Sequence, residues 1–360
     1  MIMRRILILG STGSIGTTCL NYIRKSNPGF QVVGLTAHKN IEKLNSLSKE
    51  FSCPTLITDP IESSGLKEFF IKTKPDIVLN AIAGADGLFA TVTAIECGID
   101  IALSNKESVV MGGTWIFDAA KENNVRIIPV DSEHSAIYNL LMGHKASSLV
   151  ITASGGPFVD RMDLENVTVE EALNHPTWKM GKKITIDSST LANKGLEVIE
   201  ASFLFNFKPE DISVTVHRQS VVHSMIRTKE GAVYAQMSPP DMTLPIIAAL
   251  SDGKVKLENV VSPLSFDNLT LTFEKPDTKR FPLLALAYKA LEIGGSATIA
   301  YNAADEVAVN AFMEGIIPYS RISQIVEKTL LNEAFTEKVC NYKETMEKDR
   351  IAREIARSAI

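Results

Sequence analysis

The chain has 360 residues, 45% of them hydrophobic and 22% charged, enough for two or three domains with cores of their own. A net charge of -5 gives no electrostatic footprint for nucleic acid or an anionic membrane. Cys19, Cys53, Cys97 and Cys340 are scattered, with no C-x-x-C pair and no zinc spacing, which fits free thiols in a reducing compartment.

The opening MIMRRILILG is basic, but its apolar run is short and ends in glycines, so it reads as a first strand and not a signal peptide. Met1 and Met3 both fit as the start of translation. No apolar run reaches membrane-spanning length, and a cytoplasmic location is the expectation. Residues 6–9 form a continuous apolar run, the mark of a central parallel strand. They feed Gly10-Ser11-Thr12-Gly13-Ser14-Ile15-Gly16 and a helix over residues 17–24. Strand, glycine turn and helix together cradle a pyrophosphate: glycine admits the backbone closely, and the helix start offers N–H groups and positive dipole. The spacing is G-x-x-G-x-x-G and not G-x-G-x-x-G, so a tight turn without ligand is the alternative.

Residues 31–35 read as the second strand. An NAD site usually has an acid near its end; here the chain reads Thr36-Ala37-His38-Lys39-Asn40, which suits a 2′-phosphate and favours NADP(H) over a merely solvated basic turn. Strands over residues 75–80 and 99–103 deliver Ala81-Ile82-Ala83-Gly84 and Ser104-Asn105-Lys106-Glu107-Ser108 at their ends, where open α/β sheets bind ligands.

Residues 126–130 form a strand with Pro129, hence near an edge or domain border. If the extended path continues, Asp131 and Glu133 point the same way and suit a hard divalent cation. The alternative is that Asp131 or Ser132 caps a helix with Glu133 in its first turn. Residues 149–153 form a strand ending in Ser154-Gly155-Gly156-Pro157, either a phosphate-facing turn or a structural one.

The run HPTWKMGKKITIDSSTLANKGLEVIE, residues 175–200, packs several chemistries together. His175, Trp178 and Met180 lie in a loop between Pro176 and Gly181; residues 183–187 alternate like a short strand; Ser188, Ser189 and Thr190 suit a helix start. Hydroxyls with Asn193 and Lys194 at a helix start suit a bound phosphate. Glu197 is a helical neighbour of Lys194 and a candidate third metal carboxylate; a capped surface helix with an ion pair is the alternative.

Residues 213–216, 221–226 and 232–237 read as strands of a mixed sheet whose surface can pair in a dimer, and His217 reads as structural. A helix over residues 245–250, a connecting arm over 251–279 and four helices over 280–360 complete the chain. The expected fold class is α/β, with an N-terminal Rossmann-like NADP-binding domain, an α+β catalytic domain with a mixed sheet, and a C-terminal helical domain. The expected boundaries are 1–130 for cofactor binding, 131–251 for catalysis and dimerisation, 252–279 for the arm and 280–360 for the helical domain.

The segments GSTGSIG, SNKES, PVDSEHSAI, ASGGPF, HPTWKMGKK, SSTLANKGLE and HRQSVVHSM, in this order over essentially the whole chain, closely resemble the 1-deoxy-D-xylulose 5-phosphate reductoisomerase family. The resemblance implies conversion of that sugar phosphate to 2-C-methyl-D-erythritol 4-phosphate for non-mevalonate isoprenoid synthesis, with NADPH, one divalent cation (Mg2+ or Mn2+) and a homodimer. Carried over by motif, Thr12, Gly13, Ser14 and Ile15 would hold the pyrophosphate, and His38, Lys39 and Asn40 the adenosine ribose phosphate. Asn105 and Glu107 would contact the cofactor's nicotinamide half, and Met180 and Gly181 would also meet the cofactor. Asp131, Glu133 and Glu197 would bind the metal, and Lys106 and Ser132 would touch the substrate's oxygenated carbons. Ser154, Ser188, Asn193 and Lys194 would hold its phosphate; His175 and Trp178 would belong to a lid, with His223 near the substrate. Four positions depart from the family pattern: His38 for glycine, Arg218 for the proline of HPQS, Thr243 for arginine and Asp305 for asparagine. Two rival readings are a semialdehyde-dehydrogenase-like enzyme, which needs a nucleophilic cysteine in a catalytic loop, and a non-catalytic NADP(H) sensor.

Overall fold

The computed structural model describes residues 3–26, 29–62, 64–178 and 180–360, so the candidate start Met1 lies outside the described residues. In chain order the first elements are β1 (Arg4–Leu9), α1 (Ser14–Ser26), β2 (Phe30–Ala37), α2 (Ile41–Phe51), β3 (Thr55–Ile57), α3 (Leu66–Thr73), β4 (Ile77–Asn80) and α4 (Asp86–Glu96). Next come β5 (Asp100–Leu103), α5 (Lys106–Glu122), β6 (Ile127–Pro129), α6 (Ser132–Gly143), β7 (Ser148–Ala153), α7 (Val169–Leu173), α8 (Lys182–Thr190) and α9 (Ala192–Phe205). The rest are β8 (Ile212–Val216), β9 (Val222–Arg227), β10 (Val233–Met237), α10 (Thr243–Ser251), α11 (Leu283–Ile293), α12 (Ala297–Met313), α13 (Arg321–Leu330) and α14 (Tyr342–Ser358).

The chain divides into two compact units, each made of separate stretches. One takes Met1–Ser108, Thr114–Ser135 and Asp241–Pro263; the other takes Val109–Gly113, Ala136–Pro240 and Leu264–Ile360.

In the first unit the strands form a parallel sheet in the order β3-β2-β1-β4-β5-β6. Helices cover both faces of such a sheet, and so its central strands read as unbroken apolar runs: Ile6 to Leu9 and Ile77 to Leu79 are fully buried. The order reverses at β1, which pairs with β2 on one side and β4 on the other. Ligands bind open α/β sheets in the crevice at such a reversal, beyond the carboxyl ends of the strands. β6, with Pro129, is an edge strand as its proline demands. The α10 segment returns to this unit late in the chain, where the buried Arg4 donates to the carbonyls of Leu250 and Ser251. Arg126 pairs with both Asp100 and Asp252.

In the second unit a mixed sheet runs in the order β10-β9-β7-β8, with β7 parallel to β8 and antiparallel to β9. Its core joins Leu149 and Ile151 of β7 to Leu196 and Ile199 of α9 and to apolar faces of α11, α12 and α13. The expected strand over residues 183–187 is instead part of α8. Five alternating residues are too few to fix a period, and local bonds favour the helix. Thr185 Oγ1 donates to Gly181 O at 2.8 Å, and Lys183 pairs with Asp187 one turn on at 2.7 Å. Ser188, Ser189 and Thr190 therefore end a helix and do not start one. Leu191, at φ 60°, separates α8 from α9.

Candidate active site

The glycine loop sits at the end of β1, at the sheet's reversal point. Gly10 has φ +73°, and a Cβ there would lie 2.6 Å from Ala81 O; one at Gly16 would lie 2.6 Å from Ser11 Cα. Both glycines are therefore required by close backbone approach, and the loop leads directly into α1, which begins at Ser14. After β2, Asn40 caps α2 by accepting from Lys43 N at 3.1 Å, while His38 Nε2 lies 3.0 Å from Asp59 Oδ2. Lys39 is exposed in the turn between them. Lys43, which the sequence reading passed over, donates from Nζ to Thr12 O at 3.0 Å and to Thr17 Oγ1 at 2.9 Å. It ties the basic turn to the glycine loop across 31 and 26 residues of sequence, a link that no local pattern signals.

At the ends of β5 and β6 the same unit builds an acid–lysine centre. Asn105 caps α5 through Oδ1, which accepts from Ser108 N at 2.9 Å, and its Nδ2 donates to Ile82 O and Gly84 O at 2.9 Å and to Glu107 Oε2 at 2.8 Å. Glu107 Oε1 in turn accepts from Gly84 N at 3.2 Å. Asn105 and Glu107 thus fix the loop after β4. The cap at Asn105 also starts the helix that carries Lys106, whose Nζ donates to Asp131 Oδ2 at 2.9 Å. The path beyond Val130 is not extended: α6 begins at Ser132, and Asp131 Oδ1 accepts from Glu133 N at 3.3 Å. Asp131 and Glu133 therefore converge across a helix start and not along a strand, with carboxylate oxygens within 4.8 Å of one another. Asp131 takes the capping role, which still leaves its other oxygen to Lys106. Ser132 Oγ donates to the Glu133 carboxylate.

The second unit brings other expected residues together around the ends of α8 and α9. Gly155 and Gly156 have φ +90° and +68°, and a Cβ at Gly156 would lie 2.6 Å from Ser188 O. The Ser154 turn is thereby pressed against the last turn of α8. Ser154 Oγ accepts from Gly156 N at 3.3 Å and lies 3.1 Å from His175 Nε2. His175 Nδ1 accepts from Thr177 N at 3.1 Å and from Trp178 N at 2.9 Å. Nε2 therefore carries the ring proton and donates to Ser154. Burial holds the His175 imidazole below its ordinary pKa, keeping it neutral. Met180 is half-buried and Gly181 is the N-cap of α8; Lys179 between Trp178 and Met180 lies outside the described residues.

On α9, Asn193 Nδ2 donates to Glu197 Oε1 at 2.6 Å, and Lys194 pairs with the other Glu197 oxygen. The alternative of a capped surface helix fails on both counts. Glu197 is 1% and Lys194 5% exposed, and the N-cap, Leu191, makes no side-chain cap bond. A half-buried amide, a buried ammonium and a buried carboxylate, bonded to one another at a helix start, form a preorganised polar site. Tyr319, also missed from sequence, braces it by donating to Ser189 O at 2.7 Å. His223 stands on β9 with Nε2 2.8 Å from Ser238 Oγ.

A parallel sheet with a glycine loop at its reversal point and an acid–lysine centre at its strand ends defines a dinucleotide-binding α/β protein of the oxidoreductase class. Three sequence models of one family match the chain. The 1-deoxy-D-xylulose 5-phosphate reductoisomerase model matches residues 6–64 and 57–113, and two models of that family's C-terminal domain match residues 127–205 and 237–355. The Treponema denticola 1-deoxy-D-xylulose 5-phosphate reductoisomerase is 44% identical over 99% of this chain and 97% of its own. That of a Thermoanaerobacter species is 46% identical over 91% and 92%. A solved DOX-P reductoisomerase in complex with NADPH, fosmidomycin and magnesium superposes with a TM-score of 0.91 at 36% identity, covering 99% of this chain and 98% of that one. The Zymomonas mobilis enzyme in complex with NADPH gives 0.87 at 37% identity, covering 99% and 98%. The chain belongs to the 1-deoxy-D-xylulose 5-phosphate reductoisomerase family.

Proposed function

We propose that the protein converts 1-deoxy-D-xylulose 5-phosphate to 2-C-methyl-D-erythritol 4-phosphate with NADPH and one divalent cation, Mg2+ or Mn2+. Family membership along the whole chain carries this reading. In our reading Thr12, Gly13, Ser14 and Ile15 hold the cofactor's pyrophosphate, His38, Lys39 and Asn40 its ribose phosphate, and Asn105 and Glu107 its nicotinamide half, with Met180 and Gly181 also meeting the cofactor. Asn105 and Glu107 also shape the loop after β4, through bonds to Ile82 O, Gly84 O and Gly84 N. Residues 1–130 then serve cofactor binding, 131–251 catalysis and dimerisation, 252–279 connection and 280–360 support.

The donor set fits a hard cation. Asp131, Glu133 and Glu197 are carboxylates, and two of them already accept an ammonium partner, Lys106 or Lys194. When bound, the cation supplies Lewis acidity to adjacent carbonyl and hydroxyl oxygens, and NADPH supplies hydride. The chain's own residues do the rest. Lys106 holds a proton at Nζ where oxygen charge develops, and Ser132 orients the oxygenated carbons. Ser154, Ser188, Asn193 and Lys194 grip the phosphate, a contact that substrate and transition state share. The segment of His175 and Trp178 closes over the substrate and keeps water out, and His223 lies near the substrate region.

The exposed edge strand β10, with Val233 and Tyr234 on its surface, supports pairing with a second copy as a homodimer. No helix among the described residues is long and apolar enough to cross a membrane, and we place the enzyme in the cytoplasm. The test is NADPH oxidation with 1-deoxy-D-xylulose 5-phosphate and Mg2+ or Mn2+, beside an EDTA-treated sample and Glu197→Gln. Metal-dependent turnover that disappears in the variant is expected. Binding of NADPH without turnover would move the protein to the sensor reading.

A further inference from the structure

Arg218 stands in the turn after β8, and its guanidinium spans two carboxylates from distant segments. Nε and Nη2 donate to the two oxygens of Glu274 at 2.8 and 3.0 Å, and Nη1 donates to both oxygens of Asp160 at 2.9 and 2.7 Å. Asp160 lies on the loop after β7. Glu274 lies on the arm, where its backbone bridges Val216 in both directions at 2.8 and 2.9 Å. A second arginine meets the same loop: Arg280 donates to Arg161 O at 2.6 Å and Val159 O at 2.9 Å, while Asp277 holds its Nε at 2.9 Å.

What these two arginines hold is the outer end of the Ser154 turn. Val159 and Val216 flank Gly155 so closely that a Cβ there would lie 3.0 Å from each. The neighbouring Gly156 abuts Ser188, and Ser154 bonds to both Gly156 N and His175. A shift of Asp160 or Val159 therefore passes through packed atoms to Ser154. We propose that Arg218, assisted by Arg280, is a positioning residue for the phosphate end of the substrate: it sets the loop after β7 so that Ser154 and the turn's N–H groups meet the phosphate. This rests on assigning the phosphate to Ser154 and Ser188.

Exposed ion pairs contribute little to global stability, so the role is geometric. The planar fork fixes direction as well as charge, which lysine does not reproduce. Being open to solvent, the network weakens as salt rises.

The experiment compares wild type with Arg218→Met, Arg218→Lys and Ser154→Ala. It measures KM for 1-deoxy-D-xylulose 5-phosphate, kcat and Tm at low and high ionic strength. Loss of binding that is uniform along the reaction raises KM alone, so Arg218→Met is expected to raise KM about fivefold with kcat within about twofold. Lysine restores only part of that, and the wild-type KM climbs toward that of Arg218→Met as salt increases. A rise in KM for Ser154→Ala with none for Arg218→Met overturns the inference and leaves the phosphate assignment standing. An unchanged KM in Ser154→Ala overturns the assignment and the inference with it. A fall in Tm of Arg218→Met with KM unchanged marks the network as merely structural and also overturns it.

Discussion

Lys106 and Asp131 meet end to end, Nζ to Oδ2 at 2.9 Å, with side chains only 7% and 14% exposed. Breaking a buried pair takes compensation away from the charge that stays, at a cost of about 3–5 kcal/mol in such settings. Asp131 is also a proposed cation ligand, so the ammonium and the cation are two sources of the same compensation. Lys106→Met is therefore expected to lower Tm strongly in EDTA and to recover most of that loss in excess Mg2+ or Mn2+. Its turnover should stay low in either condition, because the proton at Nζ is gone. Thermal unfolding with and without metal, beside NADPH oxidation, separates the two effects. A Tm loss that metal does not repair would remove Asp131 from the ligand set.

Lys43 offers a test on the cofactor side. Its two bonds to Thr12 O and Thr17 Oγ1 fix the glycine loop against the basic turn. Hydrogen bonds from a charged donor contribute about 1.5–3 kcal/mol, of which only the part felt in the cofactor-bound loop appears as affinity. Lys43→Met is expected to raise the KM for NADPH about tenfold and to leave the KM for the sugar phosphate unchanged. A parallel rise in both constants would mean general loosening of the unit.

How much of this was legible in the sequence depended on the range of each interaction. The β1 run and its glycines announce a strand, a close approach and a helix start within a dozen residues, and the structure has all three. Lys194 and Glu197 are helical neighbours, and their pair is present. By contrast, Ile184 and Ile186 alternate like a strand, yet the segment is helical. Lys183 is held there by Asp187 one turn away and by Asp305 from α12, and the second partner is 122 residues distant. Lys43, Tyr319 and the Arg218 network were illegible for the same reason. Each acts through a partner that only the folded chain brings near.

The pair of acids on Lys183 leads to a prediction about Asp305. Lys183 Nζ lies 2.7 Å from Asp187 and 2.8 Å from Asp305, whose side chains are 2% and 0% exposed. Asp305 Oδ1 has no hydrogen-bond partner among the described residues. Two buried carboxylates thus share one ammonium, and desolvation of the second is poorly repaid. Asp305→Asn keeps an acceptor for Lys183 and removes a charge, so Tm is expected to hold or rise slightly. Lys183→Met removes the shared ammonium from both acids and should cost about 3 kcal/mol or more. Denaturant melts of the two variants read this directly, and a large loss in Asp305→Asn would show that the second carboxylate is needed as an anion.

His175 is expected to make the segment around it sensitive to pH. Its Nδ1 accepts two backbone N–H bonds and its Nε2 donates to Ser154, an arrangement only the neutral ring can make. Burial lowers its pKa in the folded state, whereas an undocked segment titrates near the ordinary value of about 6.5. Between those two values the undocked form binds more protons, so docking is favoured as pH rises and lost as pH falls below about 6.5. The chain has two tryptophans, and Trp178 sits three residues from His175. Its fluorescence should therefore report the segment leaving its docked position in acid, fully docked at neutral pH. Trp115→Phe isolates the signal, and His175→Gln should flatten the pH response over that window. A response that persists unchanged in His175→Gln would assign the titration to another group.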